Sequence, residues 1–281
     1  MSLSSILSNT WPSLKSLAKL ALQSRPVRVP KAEQPAIVIL ANGPSLNDTM
    51  ARHADMLKSS VTMAVNFAAN TDMFFELRPR YYVMVDPVFF GDDSVANIAR
   101  LRQNLARVSW PMTIFVPRHF VKAVPASIKA NPNISIAGLN TVGIEGWRWL
   151  ENFAYSSRLG MPRPRNVLIP AIMAAIAMGY KEIYLTGADH SWMKTISVDD
   201  DNNVVSVQPH FYKDNAAELK RVDTTYRGLR LHDVVESFAI AFRSYHTLAR
   251  FAAGHGIKIY NSTPGSFISA FERRPLPQHL L

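Results

Sequence analysis

The segment from Ala36 to Leu46 joins an apolar run to a short turn of small and polar residues, Asn42-Gly43-Pro44-Ser45. Gly43 lacks the Cβ atom that would hold a ligand away from the backbone. A helix starting near Ser45, a residue type favoured at N-caps, would present unpaired N–H groups and a positive dipole end. We therefore expect an anion such as a nucleotide phosphate to bind here, although ordinary strand-to-helix turns have a similar composition.

Several motifs that would assign a function outright are missing. Pro44 stands where the dinucleotide-binding fingerprint has its second glycine, and no Gly-Lys-Ser/Thr sequence follows the turn. These differences disfavour a nicotinamide dehydrogenase and a P-loop NTPase. The hydrolase G-x-S-x-G motif is absent, and the histidines lack the paired spacing of metal ligands, so we predict no metal site.

Other strand-like runs are also followed directly by polar or small residues. In open parallel sheets, ligands bind beyond the carboxyl ends of the strands, so these residues define one candidate binding edge. Any one of them alone is equally consistent with a cap on a strand end. They are Asn42 and Ser45 after the first run, Asn66 after the second, Asp86 after the third, Thr186, Gly187, Asp189 and His190 after the fifth, and Pro264 and Ser266 after the last.

The order of apolar runs and helical stretches predicts the elements that carry this edge. We predict strands at 36–41, 61–65, 81–85, 112–116, 181–185 and 257–260, and a hairpin over 194–208. Long helices are predicted at 95–107, at 170–178 with Pro170 as the first residue, and at 233–253. This alternation predicts an α/β fold with a doubly wound, mostly parallel sheet.

Composition narrows the class of protein further. The chain has 281 residues, 48% of them hydrophobic, and no cysteine, which fits a globular protein of a reducing compartment such as the cytoplasm. A formal charge of +10 favours acidic partners: nucleic acid, an anionic membrane surface or phosphorylated small molecules. The basic residues are scattered and no nucleic-acid motif is present, so we do not expect nucleic acid as the partner.

Residues 1–35 are predicted to form an amphipathic helix and a Pro-broken basic linker ahead of a domain at 36–281. No run of 18 apolar residues occurs, so a spanning helix is not predicted. The helix fits two roles: an anchor at the membrane interface with Trp11 and its lysines at the headgroups, or a helix packed on the domain or on a partner chain, including a second copy. Residues 190–230 are predicted to form a lid that includes the hairpin.

Two segments carry a family resemblance. Asn42-Gly-Pro-Ser-Leu46 and Met178-Gly-Tyr-Lys-Glu-Ile-Tyr-Leu-Thr-Gly-Ala-Asp189 resemble segments of the bacterial sialyltransferases of glycosyltransferase family 42. In that family an asparagine follows the second strand, and a histidine opens the helix before a late strand and a Pro-x-Ser loop. Asn66, His232 and Pro264-Gly-Ser266 stand in the corresponding order. The resemblance covers about residues 36–271.

The resemblance implies a Rossmann-like transferase with a lid, a CMP-linked nonulosonic acid or Kdo-like donor, and no metal or other cofactor. It implies that Asn42, Gly43, Pro44 and Ser45 hold the phosphate and ribose, and that the Pro264 loop faces the base. Asn66 and Asp189 would position the cytidine and the sugar. His232 would be the general base, taking the proton of the acceptor hydroxyl. The acceptor would be a lipopolysaccharide or capsule glycan, at the cytoplasmic face of the inner membrane.

Three alternatives stay open from the sequence. Gly187-Ala-Asp-His-Ser-Trp192 and His210-Phe-Tyr212 resemble a related group of polysaccharide-locus proteins, in which His190 or His210 would be the base. The first motif also resembles a pterin diphosphokinase family, whose activity would need ATP and a metal held by Asp86 and Asp189. The last alternative is a non-catalytic module that binds nucleotides or glycans.

Overall fold

The computed structural model describes residues 3–91, 96–206, 226 and 228–280, with side chains from residue 8 onward. The helices and strands of these residues follow the chain in this order: α1 Leu3–Gln23, β1 Ala36–Leu40, α2 Ser45–Ser59, β2 Thr62–Val65, α3 Asp72–Leu77, β3 Tyr81–Val83, α4 Ala96–Ala106, β4 Met112–Pro117, α5 Ala126–Lys129, β5 Ile134–Leu139, α6 Arg148–Ser156, α7 Leu168–Met178, β6 Glu182–Thr186, β7 Ile196–Val198, β8 Val204–Ser206, α8 Leu231–Gly254, β9 Lys258–Asn261 and β10 Glu272–Arg273.

Eight strands form one sheet in the order β10-β9-β6-β1-β2-β3-β4-β5, and every pairing in it is parallel. From β1 the chain adds strands outward to β5, then returns through α6 and α7 to place β6 on the other side of β1. The direction of winding therefore reverses between β1 and β6. In sheets of this kind the loops that leave two such strands diverge and open a crevice at their carboxyl ends.

Strand β1 shows why the sheet is covered on both faces. Ile37 and Ile39 pack into a core with residues of α7 and α8, whereas Val38 and Leu40 pack with α2 on the opposite face. Successive side chains of a strand point to opposite faces, so a strand that is apolar throughout needs a layer of helices on each side. This confirms the α/β, doubly wound prediction.

The six predicted strands of the sheet and the antiparallel hairpin of β7 and β8 are confirmed. Two strands of the sheet were not predicted. Strand β5 is an edge strand with mostly half-buried side chains, and β10 consists of Glu272 and Arg273 alone. Neither has the continuous apolar run that marks the buried strands.

Three predicted helix starts are wrong by one or two residues, including that of α8, which begins at Leu231 rather than at Asp233. Helix α7 begins at Leu168, so Pro170 is its third residue rather than its first. The Asn166 side chain accepts the backbone N–H of Leu168 at 3.0 Å and supports this earlier start. A proline is tolerated at the third position because the first four N–H groups of a helix have no partner within it. Helix α2 has Pro44 in the N-cap position, so Ser45 is helical and does not cap.

Helix α1 lies against the domain through small polar residues. The Ser16 hydroxyl donates to the carbonyl of Glu145 at 2.8 Å, and the Trp147 N–H donates to the Ser13 hydroxyl at 2.8 Å. Ser24 donates to the carbonyl of Leu159 at 2.5 Å. These contacts agree with a helix packed on the domain, and they leave the side of α1 that faces away from it uncovered.

Candidate functional site

Three loops meet at the carboxyl ends of β1, β6 and β9. The Gly43 N–H donates to the carbonyl of Gly187 at 2.8 Å, which joins the first loop to the second. The Ala188 N–H donates to the Thr263 hydroxyl at 3.0 Å, and the Ser266 hydroxyl donates to the carbonyl of Ala188 at 2.6 Å. The loop after β6 is therefore fixed on both sides, at the point where the winding of the sheet reverses.

Gly43 stands where this arrangement is tightest. A Cβ atom on Gly43 would lie 1.9 Å from Oδ2 of Asp189 and 2.5 Å from the carbonyl oxygen of Gly187. The same Asp189 oxygen accepts a hydrogen bond from the Ser45 hydroxyl at 2.7 Å. Glycine is thus required here because two parts of the protein approach the backbone. The carboxylate occupies the position beside Gly43 where the sequence predicted a phosphate.

The same edge presents further hydrogen-bond acceptors. The Asn42 Nδ2 group donates to the carbonyl of Val65 at 3.2 Å, which leaves its Oδ1 as the free end of the amide. Within the part of the chain that the structure describes, Oδ1 of Asn42 and Oδ1 of Asn66 are buried and accept no hydrogen bond. Together with Asp189, these groups fit a ligand that brings hydroxyl or amino donors, such as a sugar or a nucleoside.

Asn66 is held in place by an aromatic residue of the next strand. Its backbone has a φ of 51°, in the left-handed region that asparagine tolerates better than most residues. The Tyr82 hydroxyl donates to the carbonyl of Asn66 and accepts the N–H of Ala69. The turn after β2 is therefore fixed next to the loop after β1.

The other predicted residues of this edge have structural partners. Thr186 is fully buried and shares a 2.7 Å hydrogen bond with Thr49, so its side chain has no room for a ligand. Ser266 is buried: its hydroxyl donates to the carbonyl of Ala188 in the loop after β6 and accepts the N–H of Ile268 at 3.2 Å. Pro264 is exposed. The Arg273 guanidinium donates to the carbonyls of Thr263, at 3.2 Å, and of Ser266, and so holds this loop closed.

His190 takes part in a partly buried chain of hydrogen bonds that the sequence did not predict. Its Nε2 lies 2.6 Å from the Tyr245 hydroxyl, which donates to Oδ1 of Asn166 at 2.9 Å. That oxygen also accepts the N–H of Leu168, so the orientation of the amide is fixed and Tyr245 must be the donor. His190 therefore donates from Nε2, and its Nδ1 carries the lone pair.

Burial lowers the pKa of His190 to about 3, and burial also raises the pKa of Tyr245. Both groups are neutral at physiological pH. An imidazole that strongly resists protonation is a weak general base, because the base must hold the proton that it removes. The low pKa and the hydrogen bond to Tyr245 therefore suit His190 to holding a ligand or a loop in position rather than to accepting a proton.

This pKa predicts a specific pH dependence of stability. Below the ordinary histidine pKa of 6.5, the unfolded chain takes up a proton at His190 and the folded chain does not until about pH 3. Stability is therefore lost as the pH falls below 6.5, by up to about 1.4 kcal/mol per pH unit. Urea unfolding between pH 7 and pH 5 measures this for the wild type and for His190→Gln. We expect the free energy of unfolding to depend less on pH in the variant. The same pH dependence in both proteins would contradict a neutral His190 in the folded state.

The structure does not bring the other candidates to the same point. His232 is 75% exposed at the first turn of α8, in contact with Asp233, which caps the helix by accepting the Arg230 N–H. It lies 13 residues from Tyr245, or about 20 Å along the helix. Asp86 follows β3, which stands three positions from β6 in the sheet. In the part of the chain that the structure describes, no three histidine or acidic side chains are grouped so that they could hold a metal ion. His210 lies outside the described residues.

Asn166, Tyr245 and Arg273 were missed by the sequence analysis. Asn166 stands directly before an apolar helix, the usual place of a capping asparagine, so it carried a recognisable signal. Tyr245 and Arg273 carried none, because their roles depend on contacts with distant segments.

No protein-family model and no curated protein matches the chain. The solved structure of the MAf glycosyltransferase from Magnetospirillum magneticum AMB-1 aligns with 99% of this chain, at 12% identity and a TM-score of 0.48. This chain spans 39% of the length of that one. A similarity at this level carries no argument about activity, so function has to be inferred from the site.

Proposed function

We propose that this chain is a glycosyltransferase that binds a nucleotide sugar at the carboxyl edge of the sheet. The observation that carries the proposal is the set of acceptor groups between β1, β2 and β6: the Asp189 carboxylate and the free amide oxygens of Asn42 and Asn66. Such a site matches the hydroxyl and amino groups of a nucleoside and a sugar. A ligand made only of phosphate would not match this site, because its oxygens are hydrogen-bond acceptors like those of the protein.

The proposed donor is a CMP-linked nonulosonic acid or a Kdo-like sugar, and the acceptor is a cell-surface glycan or glycolipid. The resemblance of the Asn42–Leu46 and Met178–Asp189 segments to family 42 supports this choice. In the reaction, the acceptor hydroxyl attacks the anomeric carbon, the bond from that carbon to the phosphate oxygen breaks, and CMP leaves. The hydroxyl proton passes to a base on the protein.

The residue that takes the proton is tested by three single replacements. The resemblance to family 42 favours His232 as the base, and His190 is held by its hydrogen bond to Tyr245 and resists protonation. Because His232 stands about 20 Å along α8 from Tyr245, this role requires an acceptor hydroxyl that lies at the first turn of α8. His232→Ala should lower turnover by about 10²- to 10⁴-fold and leave nucleotide binding unchanged. His190→Gln and His210→Ala should retain more turnover than His232→Ala. A larger loss of turnover in either variant would identify that histidine as the base.

Thermal unfolding with added nucleotides tests the proposed donor. A ligand that binds only the folded state raises the melting temperature by mass action. CMP, CDP, UDP, GDP, ADP and ATP are compared with Mg²⁺ and with EDTA. We expect CMP to give the largest shift and EDTA to leave it unchanged. A shift with ATP that requires Mg²⁺ would support a phosphotransferase, whereas CMP binding without any transfer from CMP-sugars would support a binding module.

A further inference from the structure

Helix α1 turns polar side chains to the domain and apolar side chains away from it, the reverse of most amphipathic helices. The residues that it turns to the domain are Ser13, Ser16, Leu20 and Ser24, three of them buried serines. Its bulky apolar side chains point the other way: Trp11 is 65% exposed and Leu22 is 76% exposed, with Leu14 and Leu17 also exposed. A surface helix normally buries its apolar stripe and exposes its polar one.

The spacing of the residues shows that these are two separate faces. The inward residues follow one another at intervals of three and four, and so do Trp11, Leu14, Ala18 and Leu22, which lie on the opposite side of the helix. We call these last four residues the outer stripe of α1. Because serine hydroxyls replace leucines in the contact with the domain, the outer stripe is left as an apolar surface without a covering layer among the described residues.

Helix α6 also exposes large apolar side chains. Trp147 at the start of α6 donates its N–H to Ser13, so the first turn of α6 touches the inward face of α1 near its middle. Trp149 and Phe153, one helical turn apart on α6, are 60% and 55% exposed. Large apolar residues that are exposed together on one helix face mark an interaction surface.

The charge around the outer stripe identifies the partner. Residues 8–32 contain five basic residues and no acidic one: Lys15, Lys19, Arg25, Arg28 and Lys31. The ammonium group of Lys15 lies 4.9 Å from the centre of the Trp11 ring, at the border of the apolar surface. Leucines and a tryptophan flanked by lysines form the pattern of a helix that lies in the interface of an anionic bilayer.

We propose that helix α1 docks the protein on an anionic membrane, with the outer stripe in the acyl-chain boundary and the basic residues at the headgroups. A second copy of the chain is a poorer occupant, because a symmetric contact between two such helices would bring their four lysines together, with three more basic residues directly after each helix. None of the described helices is both long and apolar enough to cross a bilayer, so the attachment rests on the surface of one leaflet.

Flotation with lipid vesicles tests this docking directly. The full chain is mixed with vesicles of phosphatidylcholine alone or with about one third phosphatidylglycerol, at low and at high salt. We expect the protein to float with the anionic vesicles at low salt. Leu14→Gln/Leu22→Gln should weaken the apparent affinity by about tenfold or more. Lys15→Gln/Lys19→Gln should weaken it by about 30-fold, since each lysine near an anionic surface contributes about 1 kcal/mol and every 1.4 kcal/mol is tenfold.

The controls use residues of similar exposure elsewhere on the surface. Val198→Gln, at an exposed position of the hairpin, and Lys181→Gln, before β6, should float as the wild type does. The proposal would be overturned by an absence of flotation with anionic vesicles, or by equal flotation of the α1 variants and the controls. It would also be overturned if the wild type were a dimer that Leu14→Gln/Leu22→Gln converts to a monomer while neither binds vesicles. The readout is independent of transferase activity, so the two proposals fail separately.

Discussion

Gly43→Ala is expected to disrupt the candidate site. The new Cβ atom would meet the Asp189 carboxylate at 1.9 Å and the carbonyl oxygen of Gly187 at 2.5 Å. Asp189 can rotate, but the carbonyl is backbone and is held by the Gly43 N–H itself. We expect the free energy of unfolding to fall by about 3 kcal/mol and the melting-temperature shift with nucleotide to disappear.

Gly254→Ala is the matched control for this change. A Cβ atom at Gly254, the last residue of α8, has no atom within 4 Å to meet. Its stability should be unchanged or slightly raised, because alanine restricts the unfolded chain more than glycine does. Urea unfolding and a nucleotide titration of both variants provide the comparison. A Gly43→Ala protein with wild-type stability and binding would show that the loops after β1 and β6 are not joined as described.

Asp189→Asn is expected to separate ligand binding from folding. Asparagine keeps the size of the side chain, and its oxygen can still accept the Ser45 hydroxyl, so the free energy of unfolding should change little. Replacing a charged acceptor with a neutral one should weaken nucleotide-sugar binding by about 10- to 100-fold. Isothermal titration with CMP and a CMP-sugar measures this change.

Asp86→Asn is the control, because Asp86 is also an aspartate directly after a strand but stands three strand spacings away. Its side chain accepts the N–H of Val88, which an asparagine oxygen can also accept. We expect near wild-type affinity. Tighter binding in Asp189→Asn would indicate that phosphate, rather than sugar or nucleoside, lies against this carboxylate. Equal losses of affinity in Asp189→Asn and Asp86→Asn would contradict a specific role of Asp189 in binding.

The sequence specified the layers of this fold well, for a simple physical reason. Strands such as β1 are buried on both faces and are therefore apolar throughout, so they stand out between amphipathic helices. Strand β10 was missed because its two residues are polar and exposed, and it is a strand only through its pairing with β9. Such a pairing exists only in the folded chain and leaves no pattern in the sequence.

The candidate site was predictable in position but not in detail. The carboxyl ends of the strands follow from the topology, and Asn42, Gly43, Ser45, Asn66, Asp189 and His190 are at or beside the crevice. What the sequence could not give was the pairing of groups: Ser45 bonds to Asp189 instead of capping its own helix, and His190 bonds to Tyr245. Each contact joins residues that are more than 50 positions apart in the sequence. The first depends on the pairing of β1 with β6, and the second on the packing of α8 next to the loop after β6.

The most direct test of the central claim is hydrogen–deuterium exchange of the full chain with and without saturating CMP. Ligand that binds between β1 and β6 should slow exchange of backbone amides in residues 41–47 and 186–191. Amides of the edge strand β5 should be unaffected and serve as the internal reference. Protection of both loops is the result that the account predicts. Binding of CMP with protection confined to other segments would contradict it and would place the nucleotide site elsewhere on the protein.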